Sequence, residues 1–137
     1  MHTRVTLTVS TIVLCLALSG CPSTVKVAVT NTTAADISIL YASGHVSTIG
    51  AGETREETYD FDCLRVKSEG ELYEFEPLQP PKEYYDKAGF NSYIYARFTP
   101  EKEFRIYRKD GSDADSLRLK SGCTNSPPTG GYLRGAS

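Results

Sequence analysis

The chain has 137 residues, with 15 Lys and Arg against 17 Asp and Glu and a formal net charge of −2. That length suits one domain near the usual size. The mildly acidic balance, without a basic run, speaks against a nucleic-acid partner, which draws on clustered Lys and Arg.

Residues 1–4 bring one firm positive charge, Arg4, and residues 5–18, VTLTVSTIVLCLAL, carry none. Spanning a bilayer takes about 20 apolar residues. This run is shorter and has the length of a signal-peptide apolar region. Small Ser19 and Gly20 then precede Cys21. Leu18-Ser19-Gly20-Cys21 resembles the lipobox of bacterial lipoproteins at all four positions. The resemblance implies that the Cys21 thiol, nucleophilic as thiolate, takes a diacylglyceryl group. It further implies that a peptidase cuts between Gly20 and Cys21, and that the new amino terminus gains a fatty chain such as palmitate. Residues 1–20 are then a cleaved signal peptide, and 21–24 a lipidated Cys with a short tether. One acyl chain binds a bilayer only marginally, at ~0.8 kcal/mol per buried methylene, whereas two or three make attachment effectively permanent. An Asp after the lipidated Cys commonly signals inner-membrane retention, and here that residue is Pro22. The resemblance therefore implies an outer-membrane protein facing the periplasm. The competing readings are a secreted chain cut elsewhere, with Cys21 a half-cystine, and an uncleaved anchor helix.

Of the four cysteines, Cys15 leaves with the signal and Cys21 takes lipid. Cys63 and Cys123 remain, and an even remainder in an exported chain implies a disulfide. Two thiols so far apart in sequence have no metal-ligand spacing.

Residues 25–29 alternate, with three Val on one face, and read as a strand. Asn31-Thr32-Thr33 is turn chemistry. Residues 37–41 form a second strand with Ile37, Ile39 and Tyr41 together, and 46–49 a third, ended by Gly50-Ala51-Gly52. In 54–61, Tyr59 and Phe61 face inward, in phase with Cys63. Residues 64–67 and 72–75 flank Ser68-Glu69-Gly70 as a hairpin. Pro77, Pro80 and Pro81 interrupt the sheet, and 81–87 read as one or two helical turns with Pro81 first and Gly89 past the end. Residues 92–98 are the most aromatic strand, 104–108 its antiparallel neighbour, and 117–120 a last strand near Cys123. Residues 124–137 are rich in Pro, Gly, Ser and Thr and read as a disordered tail.

About eight short strands separated by turn signals predict an all-β chain, a single small β-sandwich over 25–123. The segment VKVAVTNTTAADISILY, followed by IGAGET, resembles an immunoglobulin-like or fibronectin-like opening. The Trp of antibody domains is absent. A small closed barrel is the second choice.

The sequence offers little catalytic chemistry, and no catalytic, cofactor or metal site is expected. His45 sits in a predicted turn. There is no Gly-x-Ser-x-Gly elbow and no phosphate-binding glycine loop. Asp110, Asp113 and Asp115 are spaced like calcium ligands, but Gly111 stands second rather than sixth and Ser121 takes the place of the last Glu. Glu56, Glu57, Asp60 and Asp62 read as a solvated sheet edge that deters aggregation; a glycan-cleaving pair would need two of them held together. Tyr93, Tyr95, Arg97, Arg105 and Tyr107 are expected to share one face. Tyr and Arg dominate interface hot spots, although cross-strand aromatic packing explains such residues equally well. The sequence thus predicts a non-catalytic envelope lipoprotein that binds the membrane through its lipid and a protein partner through this face. The alternative is a periplasmic inhibitor of a cell-wall hydrolase of the lysozyme type, to which an acidic chain suits a basic target.

Overall fold

The structure is a computed structural model and describes residues 24–58 and 63–123. The expectations for the signal segment, Cys21, the 124–137 tail, Tyr59, Asp60, Phe61 and Asp62 lie outside the described residues. In chain order the strands are β1 (Thr24–Asn31), β2 (Ile37–Leu40), β3 (Val46–Ile49), β4 (Thr54–Thr58), β5 (Leu64–Ser68), β6 (Glu71–Phe75), β7 (Asp86–Ala88), β8 (Asn91–Phe98), β9 (Phe104–Tyr107) and β10 (Leu117–Arg118).

They form two sheets. The first has the order β10-β9-β8-β1-β4, with β7 pairing the start of β8, and the second has the order β3-β2-β5-β6. Neighbours are antiparallel except β1 and β8, which run parallel from Thr24 opposite Asn91 to Asn31 opposite Phe98. Alternation decides what each strand buries. The first sheet turns Val27, Val29, Ile94, Ala96, Phe98, Phe104 and Ile106 inward, and the second answers with Ile37, Ile39, Ile49, Val66 and Phe75. The Phe75 ring bridges the layers, 6.4 Å from Phe98 and 5.8 Å from Phe104. Each Val, Ile or Phe among them stabilises the fold by roughly 1.5–3 kcal/mol on leaving water. Two sheets closing on one core make a small β-sandwich.

Where β1 ends, the chain crosses between sheets, and a buried Asn holds the crossing. Asn31 is fully buried. Its Nδ2 donates to Ala35 O at 2.8 Å and to Ile49 O at 3.1 Å. Its Oδ1 accepts from Thr33 N at 3.0 Å and from Thr33 Oγ1 at 2.7 Å. Its backbone joins the β3–β4 turn, with Asn31 N donating to Glu53 O and Gly52 N to Asn31 O. One residue therefore ties β1, the following turn and the return crossing together.

The helical reading of 81–87 needs correction. Only Lys82–Tyr84 makes a 3-10 turn, and Asp86–Ala88 pairs with β8 as β7. Gly89 does not end a helix. Ala88 lies opposite Asn91, which leaves Gly89-Phe90 as a two-residue hairpin loop, and the Gly89 φ of +63° suits the first position of a type II′ turn. The tip carries Phe90, 76 % exposed.

The end of the described chain closes the far side of the second sheet. Ser121 bridges Phe75, Glu76 N donates to Lys120 O, and Gly122 N donates to Glu74 O. Residues 120–122 thereby cover part of the β6 edge. Just beyond, Cys123 meets Cys63 as a disulfide, with Cα atoms 5.9 Å apart, as the cysteine count predicts.

Candidate functional site

The outer face of the first sheet carries the predicted Tyr/Arg group. Period-two alternation puts Tyr93, Tyr95 and Arg97 of β8 on the side opposite Ile94, Ala96 and Phe98. The β8–β9 register sets Tyr95 opposite Tyr107 and Arg97 opposite Arg105. On the other flank β1 brings Lys26 beside Tyr93 and Thr30 beside Arg97. All five predicted residues therefore lie on one surface.

Four of them are held by neighbours. The Arg97 guanidinium lies 4.2 Å from the centre of the Tyr107 ring, a cation–π contact of about 0.5–1 kcal/mol at an exposed site. Its Nη1 is 3.5 Å from Asp113 Oδ1. Tyr107, 5 % exposed, is thus corrected from a contact residue to the support on which Arg97 rests. Arg105 donates through Nε to Glu103 at 2.8 Å and through Nη1 to Ser116 Oγ at 2.9 Å. Glu103 also pairs with Arg118 at 3.0 Å. The bond to Glu103 raises the Arg105 pKa further. The residues of this face left partly open to solvent are Tyr93, Tyr95, Arg97 and Arg105, with Arg97 the most open.

Tyr95 ends a polar relay. Its OH donates to Asp86 Oδ2 at 2.9 Å, and the same oxygen lies 3.1 Å from Lys109 Nζ. The Lys109 ammonium first, then the Tyr95 hydroxyl, hold the Asp86 carboxyl below the usual carboxylate range. The carboxylate in turn raises the Tyr95 phenol. Asp86 is depressed in the folded state, so its contribution is complete above about pH 4 and is lost only as pH falls through the lowered value. Tyr95 is raised, so its contribution is complete below about pH 10 and is lost as pH climbs through the raised value. Asp86→Asn is expected to move one tyrosine ionisation step to lower pH, read as phenolate absorbance; an unchanged titration curve would dismiss the relay. Beside it, a groove of about 420 Å³ opens between Tyr84, Asp86, Arg108 and Lys109.

The other candidates are dispersed. His45 is exposed in the β2–β3 turn, its ring 5.6 Å from that of Tyr41. Glu56 and Glu57 leave β4 on opposite faces, so they are not a facing pair. Glu56 meets Lys26 on the outer face at 3.3 Å. Glu57 corrects the reading of a solvated edge: it is buried and accepts from Tyr41 OH and Ser47 Oγ. Beside it lies a cavity of about 30 Å³ between Val27, Ile39, Leu78 and Phe104, room for a water rather than a sugar ring. Asp113 and Asp115 sit in an exposed 3-10 turn, where Asp113 faces Arg97 and the Asp115 carbonyl accepts from Tyr84 OH at 2.7 Å. Among the described residues, one cluster groups metal-type ligands: Cys63, Glu74 and Cys123. Its two sulfurs are those of the disulfide.

Sequence reasoning missed Asp86, Glu103, Lys109 and Ser116, the groups that fix the Tyr/Arg side chains. The period-two pattern names the residues on a face and would have set Glu103 beside Arg105, two residues on, but Asp86, Lys109 and Ser116 come from other segments whose approach no local pattern encodes. Among the described residues no helix is long and apolar enough to cross a membrane. No protein family, curated protein or solved structure matches this chain.

Proposed function

We propose that this chain is a lipid-anchored envelope protein whose β-sandwich acts, without catalysis, as a docking module close to the membrane. The observation that carries the reading is Leu18-Ser19-Gly20-Cys21 at the end of an uncharged run too short to span a bilayer. Two residues, Pro22 and Ser23, separate Cys21 from the first strand at Thr24. Three extended residues reach about 10 Å, so the sandwich works within reach of the bilayer, and so does its partner. The outer membrane, on its periplasmic side, is the surface that Pro22 favours.

Docking falls to Tyr93, Tyr95, Arg97 and Arg105. Side chains fixed before binding lose less conformational freedom on contact, and the bonds to Asp86, Asp113, Glu103 and Ser116 supply that order. Mixed charges around aromatic rings suit a protein surface better than a nucleic-acid backbone.

One experiment tests anchor and face together, by fractionating cells after crosslinking. The native chain is expected in the membrane fraction, with a mass showing an acylated N-terminal Cys21. Cys21→Ser moves it to the soluble fraction. Tyr93→Ala with Arg97→Ala keeps it in the membrane and loses the crosslinked protein. A native chain that begins at Met1, or an unmodified Cys21, refutes the anchor. Undiminished crosslinking of the double variant refutes the face.

A further inference from the structure

We propose that the Gly89-Phe90 hairpin tip is a second membrane contact, with Phe90 entering the headgroup–acyl boundary of the bilayer to which Cys21 is fastened. The inference rests on the lipid-anchor reading above.

Phe90 is the most exposed large apolar side chain among the described residues, at 76 %. An isolated exposed apolar residue is ordinary on a protein surface. Its position is what sets this one apart. β1 and β8 run parallel, and Thr24 lies opposite Asn91. The start of β1 and the tip before β8 therefore stand at the same end of the sheet. Neighbouring strands are ~4.8 Å apart, Phe90 precedes Asn91 by one residue, and Cys21 precedes Thr24 by three. These steps place the Phe90 backbone within about 20 Å of the lipidated residue however the tether runs. An antiparallel β1–β8 pair would have sent the tip to the opposite end.

The tip is built for display. The loop has two residues, closed by pairing of Ala88 with Asn91, and Gly89 takes the positive φ that lets the chain reverse there. Phe90 is thus held on a short hairpin rather than a long loop. Lys87, exposed in β7 beside the turn, supplies a cation for phosphate headgroups. Residues 87–91 contain no acid, and the preceding carboxylate, Asp86, is occupied by Lys109 and Tyr95. An aromatic side chain beside a flexible cation is a combination found where proteins meet the bilayer interface. With the lipid, the tip gives the sandwich two points of attachment at one end of the first sheet, which restricts how the domain turns on the membrane.

The chain has no Trp, so a single introduced indole reports its own depth. The full chain carrying Phe90→Trp would be purified from membranes and reconstituted into phosphatidylethanolamine–phosphatidylglycerol vesicles, with or without bromine on the acyl chains. The control is Leu72→Trp. Leu72 is 50 % exposed and sits near the start of β6, at the end of the sandwich where Ser68 pairs Glu71 and where Ile49 meets Asn31, away from Thr24. The indole at position 90 is expected to emit at shorter wavelength in vesicles and to be quenched by brominated chains about twofold or more over the control, as a depth of roughly 5–10 Å requires. The mass of the same preparation reports lipid on Cys21. Equal quenching at the two positions, with Cys21 lipidated, overturns the membrane contact and leaves the anchor standing. An unmodified Cys21 overturns both.

Discussion

Asn31→Ala is expected to lower the stability of the domain by about 3–5 kcal/mol, far beyond the effect of an ordinary surface change. The Asn31 amide is completely used, with two bonds donated, to Ala35 O and Ile49 O, and two accepted, from Thr33 N and Thr33 Oγ1. Truncation strands the Thr33 amide and takes from the Ile49 carbonyl the bond it accepts beside its ladder partner Ile37, and a stranded buried group costs roughly 1–3 kcal/mol. It also leaves a void at a fully buried position. Asn31→Asp separates hydrogen bonding from shape, because the side chain keeps its size while a carboxylate oxygen replaces the Nδ2 that faces two carbonyls. Burial and those carbonyls raise the folded-state pKa of the introduced acid. Its neutral form is therefore favoured by folding, and the variant is closest to the parent below about pH 4, losing stability as pH rises through the raised value. Urea denaturation across pH 3–7 measures both effects. A truncated variant within about 1 kcal/mol of the parent would mean that the crossing is not held by this amide.

The role of Asn31 also shows where sequence reading stops. Asn31-Thr32-Thr33 announces a turn, because short polar side chains satisfy the nearby backbone. The bond from Asn31 to Ile49, eighteen residues later, depends on how the two sheets close. Strand positions follow from local alternation, and β2, β3, β5, β6, β8 and β9 fall where the pattern of apolar residues puts them. The parallel β1–β8 pairing has no local signature, because the paired residues are 67 apart in sequence and either orientation would bury the same valines. Glu57 was legible in part. It shares its parity with Tyr59, Phe61 and Cys63, and parity sets the face even for a carboxylate. What polarity alone does not reveal is the pair of hydroxyls, on Tyr41 and Ser47, that makes an inward position tolerable. The Tyr/Arg face was legible for the same reason as the strands, whereas Asp86, Lys109 and Ser116, which help to fix it, arrive from other segments of the chain.

Loss of the Cys63–Cys123 disulfide is expected to cost about 4 kcal/mol, the chain-entropy value for a crosslink closing a loop of this size, the two cysteines being 60 apart in sequence. For a domain near 100 residues that corresponds to a fall in Tm of roughly 15–30 °C. Double replacement by Ala is the cleaner variant, because Cys63 is 5 % exposed and a hydroxyl there would need a partner of its own. The loss should start at one place. Residues 120–122 lie against the edge of β6 through the Phe75–Ser121 bridge and the bonds from Glu76 N to Lys120 O and from Gly122 N to Glu74 O, and the disulfide keeps that short pairing from fraying. In the double variant the Glu76 and Gly122 amides are expected to exchange with deuterium well before those of β1 and β8, whose eight-residue pairing lies within the sheet. The uncovered β6 edge, with Leu72 half exposed on its outer side, then becomes a site for self-association. Thermal unfolding with and without reductant, together with exchange at those two amides, measures the effect. A Tm indifferent to reductant would show that the sandwich holds its last segment by packing alone.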